Sequence, residues 1–138
     1  MKQFPYFQVT HNDYGPKCVK MVAKFHGKDL EGNHLNNMAT MNHEEWTFLE
    51  ISSVAEKIGF KTLLYHGPVD VLKQVALPAI LYWDLHHFVV LFKVRWNTYH
   101  IADARKGILK LRKSELQEHW LGNKTNQKTW GYAMTVMI

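Results

Sequence analysis

The sequence predicts an α+β domain in which N-terminal helices pack on a C-terminal antiparallel sheet in two layers. Three observations point there. Helix start and stop signals crowd the first 60 residues, and strand-like runs separated by turn residues fill the remainder. At 138 residues, 46% of them hydrophobic and 21% charged, the chain has the size and composition of one domain, 1–138, able to bury its own core. No internal repeat, low-complexity tract or linker divides it.

Asn12 or Asp13 can cap a first helix whose opening turn holds Pro16, where a missing N–H costs nothing. Cys18, Val19, Val22 and Phe25 recur at helical spacing, and Gly27 supplies the stop. Residues 31–39 form a weaker helical stretch. Thr47-Phe-Leu-Glu50 is a capping box ahead of Leu49, Ile51, Val54, Ala55 and Ile58, with Gly59 as the exit. A strand is expected from Phe60 to Tyr65 and a short helix from Pro68 to Val75. Strands then follow over Leu77–Trp83, His87–Trp96, Thr98–Asp103 and Ile108–Leu111, with hairpin connections at Asp84-Leu-His-His and Asn97-Thr98. Ser114-Glu-Leu-Gln117 opens a small helix ending near Gly122, and Trp130 to Ile138 is a last strand.

Composition excludes several classes. One cysteine rules out an internal disulfide framework and fits a reducing, cytoplasmic setting. Met-Lys-Gln-Phe-Pro-Tyr-Phe lacks the apolar segment of a signal peptide, and no apolar run approaches the roughly 20 residues that span a bilayer. The net charge of +5 comes from scattered lysines, with no helix bearing a basic face interleaved with aromatics, so nucleic acid is not an expected partner. Attraction to an anionic membrane surface is as consistent with that charge. Among the nine histidines there is no His-Glu-x-x-His, and adjacent His86 and His87 on a strand cannot face one site, so no metal is expected. No phosphate-binding Gly-rich loop occurs, and no cofactor is expected.

The residues that bear chemistry are few. Asp13-Tyr14-Gly15-Pro16-x-Cys18 stands at a helix N-terminus, where unpaired N–H groups and the helix dipole lower a thiol pKa. Tyr14 occupies that place with a phenol, whose ordinary pKa of about 10 makes it a poor acyl nucleophile. Cys18 lies one turn further on, sharing a face with Val22 and Phe25, which is the setting of a small core thiol. Taken singly, His87 is a histidine opening the apolar run Phe88–Phe92, Asp103 is a turn residue before Gly107, and Gln8 carries no signal.

Together these pieces resemble the peptidase C39 family, the papain-like leader peptidases fused to bacterial ABC exporters. That pattern has a Gln six residues before an Asp-Cys-Gly-Pro-x-Cys helix start, a His-Phe-x-Val strand and an Asp-Pro-x-x-Gly turn. Here they read Gln8, Asp13-Tyr14-Gly-Pro-x-Cys18, His87-Phe88-Val-Val90 and Asp103-Ala104-x-x-Gly107. The stretches Leu49 to Phe60, Leu77-Pro-Ala-Ile80 and Glu115 to Gly122 also fit, in order, so the resemblance covers essentially the whole chain. It implies a papain-like fold, with His87 as base, Asp103 as its orienter and Gln8 beside the oxyanion. It also places Tyr14 where the nucleophilic Cys belongs, and Ala104 where Pro is usual.

Active members cut leader peptides after a double glycine. Degenerate members, the C39-like domains of haemolysin-type exporters, have lost the Cys and serve as docking platforms for the secreted substrate. Tyr14 puts this chain nearer the second group. A replacement made to silence an enzyme would be Ala or Ser, which keep the pocket, so Tyr14 reads as natural. The expectation is a pseudo-peptidase at the cytoplasmic face of a bacterial inner membrane. Its partners would be a secreted peptide or protein and the membrane and ATPase domains of an ABC exporter. His87 and Asp103 would survive there as a hydrogen-bonded pair, with His87 free to meet Tyr14 or stack on Trp83. Trp83 and Trp46 are candidate walls of an apolar groove. Two alternatives stay open: a working cysteine peptidase, through Cys18 for instance, and a remnant that only stabilises or gates a neighbouring domain.

Overall fold

The computed structural model describes residues 4–8, 14–29, 46–84, 87–120 and 130–138, with Tyr14 and Trp130 given by their backbone. The first helix, α1, runs Tyr14–Phe25 and turns off at Gly27, whose φ of 87° suits glycine. Helix α2, Phe48–Ile58, starts on the expected capping box. The Glu50 amide donates to Thr47 Oγ1 at 3.2 Å while the Thr47 amide donates to Glu50 Oε1 at 3.0 Å. It ends at Gly59, φ 110°, whose N–H reaches back to the carbonyls of Ala55 and Glu56.

Strand β1 spans Lys61–Pro68 and runs into a 3₁₀ turn, Val69–Lys73. The remaining strands are β2 Ala79–Trp83, β3 His87–Arg95, β4 Thr98–Asp103, β5 Gly107–Arg112 and β6 Trp130–Met137, with α3 at Lys113–Trp120. Every neighbouring pair is antiparallel, in the order β1-β6-β2-β3-β4-β5. The last strand is thus slotted between β1 and β2, in register from Lys61↔Met137 to Pro68↔Trp130 on one side and Ala79↔Thr135 to Leu81↔Ala133 on the other.

The two-layer expectation needs correcting, because the sheet is covered on both faces. Alternate residues divide it into two cores. One joins Cys18, Met21 and Val22 of α1 and Ile51 and Val54 of α2 to Ile80, Phe88, Val90 and Met134. The other joins the 3₁₀ turn and α3, through Leu72, Leu116 and Trp120, to Leu81, Val89, Leu91, Tyr99 and Ile101. At roughly 1.5–3 kcal/mol for each fully buried Leu- or Val-sized side chain, both cores contribute on a comparable scale.

Boundaries shift modestly. The strand expected at Phe60–Tyr65 begins one residue later and continues to Pro68, and the helix expected over Pro68–Val75 is the shorter 3₁₀ turn. The expected helix over residues 31–39, the caps Asn12 and Asp13, the exit at Gly122 and the hairpin residues Leu85 and His86 lie outside the described residues.

Candidate active site

The site is assembled where α1 starts, β3 starts and β4 ends. Tyr14 opens α1, and its side chain lies outside the described residues. Gly15 and Pro16 behind it are buried. Trp46 lies across Gly15 so closely that a Cβ there would stand 3.0 Å from the indole Cγ, and the ring would have to give by a few tenths of an ångström. Trp46 is therefore beside the helix start, as a groove wall would be. Trp83 is not: it is 1% exposed, sits in the second core and stacks on His119 with ring centroids 5.0 Å apart. A ring that buried offers no surface to a groove.

His87 is the first residue of β3 and is 3% exposed. It continues the alternation of Val89 and Leu91, which face the second core. Asp103, the last residue of β4, has the parity of Ile101 and is 0% exposed. Its Oδ1 accepts the Arg105 amide at 2.9 Å, an Asx turn that starts the loop to Gly107. Its carbonyl accepts from Tyr6 Oη at 2.7 Å, which ties the extended segment 4–8 to the turn. Gln8 lies two residues further on that segment and is exposed.

The expected His–Asp hydrogen bond is replaced by another contact. Nε2 of His87 stands 4.0 Å from Asp103 Oδ2, beyond hydrogen-bonding range. The same nitrogen lies 2.7 Å from Nη2 of Arg105, and since a guanidinium only donates, Nε2 is the acceptor. Arg105 reaches it from between two carboxylates, with Asp84 Oδ2 and Asp103 Oδ1 each 3.9 Å away. Asp84 is held in turn: its backbone N–H donates to the His119 carbonyl at 2.9 Å, and its Oδ1 lies 2.7 Å from His119 Nδ1. Asp103 Oδ2 is buried without a hydrogen-bond partner among the described residues.

Charge follows geometry. Burial, and after it the Arg105 guanidinium, lower the His87 pKa to about 4, against the smaller upward pulls of Asp103 and Asp84. The imidazole is neutral at physiological pH, and the lone pair a general base would use is engaged by a cation. Cys18 is 0% exposed within the first core, and its burial, reinforced by the Asp103 charge, pushes the thiol well above its ordinary range. A thiol in that state is inert.

Sequence reasoning had no place for Arg105, Tyr6 or the Asp84–His119 pair. An Asp-x-x-x-Gly turn does place the amide of the second residue after Asp against the carboxylate, so the Asx bond of Arg105 is legible. No local signal marks the others, whose partners lie 35 and 97 residues away along the chain.

Residues 3–125 match the sequence profile of the Peptidase C39 family. Among curated proteins the chain is 30% identical over 115 residues to the colicin V secretion/processing ATP-binding protein CvaB of Escherichia coli. It is 27% identical over 122 residues to the lactococcin-G-processing and transport ATP-binding protein LagD of Lactococcus lactis subsp. lactis. These alignments take in 83% and 84% of this chain but only 16% and 17% of the two relatives. Among solved structures, a double glycine motif protease from an AMS/PCAT transporter, in complex with the leader peptide, superposes with a TM-score of 0.84 at 19% identity, covering 98% of this chain and 91% of that one. The peptidase domain of Streptococcus ComA, a bifunctional ABC transporter of a quorum-sensing pathway, gives 0.80 at 22% identity, covering 96% of each chain. The N-terminal peptidase C39-like domain of a Vibrio parahaemolyticus toxin secretion ATP-binding protein gives 0.72 at 16%, covering 91% and 96%. At these identities the structural likenesses speak for the fold, and that fold is the papain-like one expected from the sequence.

Proposed function

As the chain belongs to the peptidase C39 family, we propose that it holds a secretion substrate, or the leader peptide of one, for a bacterial ABC exporter without cutting it. The observation that carries this reading is the condition of His87, which is buried, neutral and bonded through Nε2 to Arg105 at 2.7 Å. The position that a thiol would need, at the start of α1, is Tyr14, and the one cysteine is buried in the core. Peptide hydrolysis by this mechanism needs a thiolate and a base to make it, and neither is supplied. What remains useful to a peptide is the border of the site, with Gln8 exposed and Trp46 packed over Gly15. Related chains are named for processing and transport, which supports an exporter as the partner and the cytoplasmic face of the inner membrane as the location. No helix among the described residues is long and apolar enough to cross a membrane.

The test is to incubate the chain with an equal amount of a double-glycine leader peptide, following binding by calorimetry and peptide integrity by mass spectrometry. Binding with the peptide intact is expected. Cleavage by the unmodified chain would overturn the proposal in favour of a working peptidase, and absence of affinity would overturn it in favour of a domain that only stabilises or gates its neighbour. A companion prediction concerns repair. Tyr14→Cys alone should cleave slowly, because the guanidinium still holds Nε2. Adding Arg105→Ala should speed cleavage by about a hundredfold, within the range of a recovered general base.

A further inference from the structure

We propose that one face of the sheet, carrying Lys93, Arg95, Lys110 and Arg112 with Trp96 at its tip, docks on an anionic lipid bilayer. The pairing register assembles it. Lys93 pairs with His100 and His100 with Lys110, while Arg95 pairs with Thr98 and Thr98 with Arg112. Cross-strand partners share a face, so these residues form two parallel rows over β3, β4 and β5. The intervening residues of β5, Leu109 and Leu111, turn to the opposite face and pack against the second core. Arg95, Lys110 and Arg112 are exposed and Lys93 is half-buried.

The rows carry one sign of charge. None of the four cations makes an ion pair among the described residues. Two acids lie close to this end of β5, and both are engaged beside α3. Glu115 accepts the Arg112 amide at 3.0 Å, and Asp70 lies 3.4 Å from Lys113 Nζ. His100, between Lys93 and Lys110, has its pKa lowered by burial and then by those two charges. Like charges set across a sheet repel, and an anionic surface laid on them removes that repulsion.

Trp96 selects a bilayer over an acidic protein. It forms the β3–β4 turn with Asn97, is 84% exposed and has φ 58°. A bulky side chain in the left-handed region is costly, and here the outlier exposes an indole at the turn just beyond the Arg95–Arg112 row. An apolar ring with one N–H donor, flanked by cations, matches the headgroup layer of a membrane. The patch lies at the far end of β3 from His87, about 20 Å along the strand to Lys93 and about 27 Å to Arg95 at the usual rise per residue, so docking leaves the candidate active site uncovered. The patch is independent of what the site binds.

The experiment is co-sedimentation of the full chain with vesicles of pure phosphatidylcholine and of equimolar phosphatidylcholine and phosphatidylglycerol, at low and high salt. Expected is binding to the mixed vesicles alone, weakening as salt rises. Lys110→Gln with Arg112→Gln should reduce it about thirtyfold, and Trp96→Ala several-fold. All three positions are exposed, and circular dichroism checks that the variants fold. Equal binding to both vesicles, no binding at low salt, or binding indifferent to both variants would each overturn the proposal. So would displacement from vesicles by a polyglutamate peptide whose own affinity ignores Trp96→Ala, which would make the occupant an acidic protein segment.

Discussion

His87 and Arg105 face each other across 2.7 Å, and the guanidinium acts on the imidazole in two ways at once. It takes the lone pair, and its charge disfavours the protonated ring. Replacing Arg105 with Met should therefore raise the His87 pKa from about 4 toward ordinary values, read by titrating the ring protons in NMR; an unchanged midpoint would remove Arg105 from the account. The same depressed pKa links pH to stability. His87 takes up a proton more readily unfolded, near 6.5, than folded, near 4. Its contribution is thus complete above pH 6.5 and is lost as pH falls toward 4, on the order of 2–3 kcal/mol. Denaturant unfolding from pH 4 to 7 should show that slope, and His87→Gln should flatten it. At this scale the motifs brought His87 and Asp103 to neighbouring strand ends, and the hydrogen bond expected between them is absent, with Nε2 4.0 Å from Oδ2. His87 and Asp103 stand together because the motif fixes their strand ends. Their lost hydrogen bond depends on an arginine side chain crossing a loop, which no spacing rule encodes.

At the level of elements, the closure of α3 onto β6 depends on a missing side chain. A Cβ at Gly131 would lie 2.5 Å from Cε2 of Trp120, whose Nε1 donates to the Tyr132 carbonyl at 2.8 Å. Gly131→Ala should destabilise the fold by about 1–3 kcal/mol, the usual cost of overpacking, and urea denaturation measures it. A cost near zero would mean that α3 can shift away without penalty. The Thr47 capping box, the stops at Gly27 and Gly59 and most strand spans were legible because capping boxes, helical spacing and turn residues are local signals. The sheet's second covered face was missed by the two-layer expectation, although the unbroken apolar run Phe88–Phe92 is what a strand buried on both sides shows. Strand order was not. The place of β6 between β1 and β2 is decided by pairings from 52 (Leu81↔Ala133) to 76 (Lys61↔Met137) residues apart, and nothing local records them.

Across the whole molecule, charge shows how folding changes the meaning of a sequence. Lysines and arginines that read as scattered along the chain become two rows on one face once β3, β4 and β5 pair. The His87 site lies at the other end of β3, so one strand separates the proposed lipid surface from the proposed peptide site. The central claim concerns the second: a C39 domain that retains a peptide site and has lost the chemistry. Its most direct test is an NMR titration of the chain with a double-glycine leader peptide, following amide shifts and peptide integrity in one sample. The account predicts shifts at Gln8, Gly15 and His87 with the peptide intact after prolonged incubation. Appearance of the cleaved leader would contradict it.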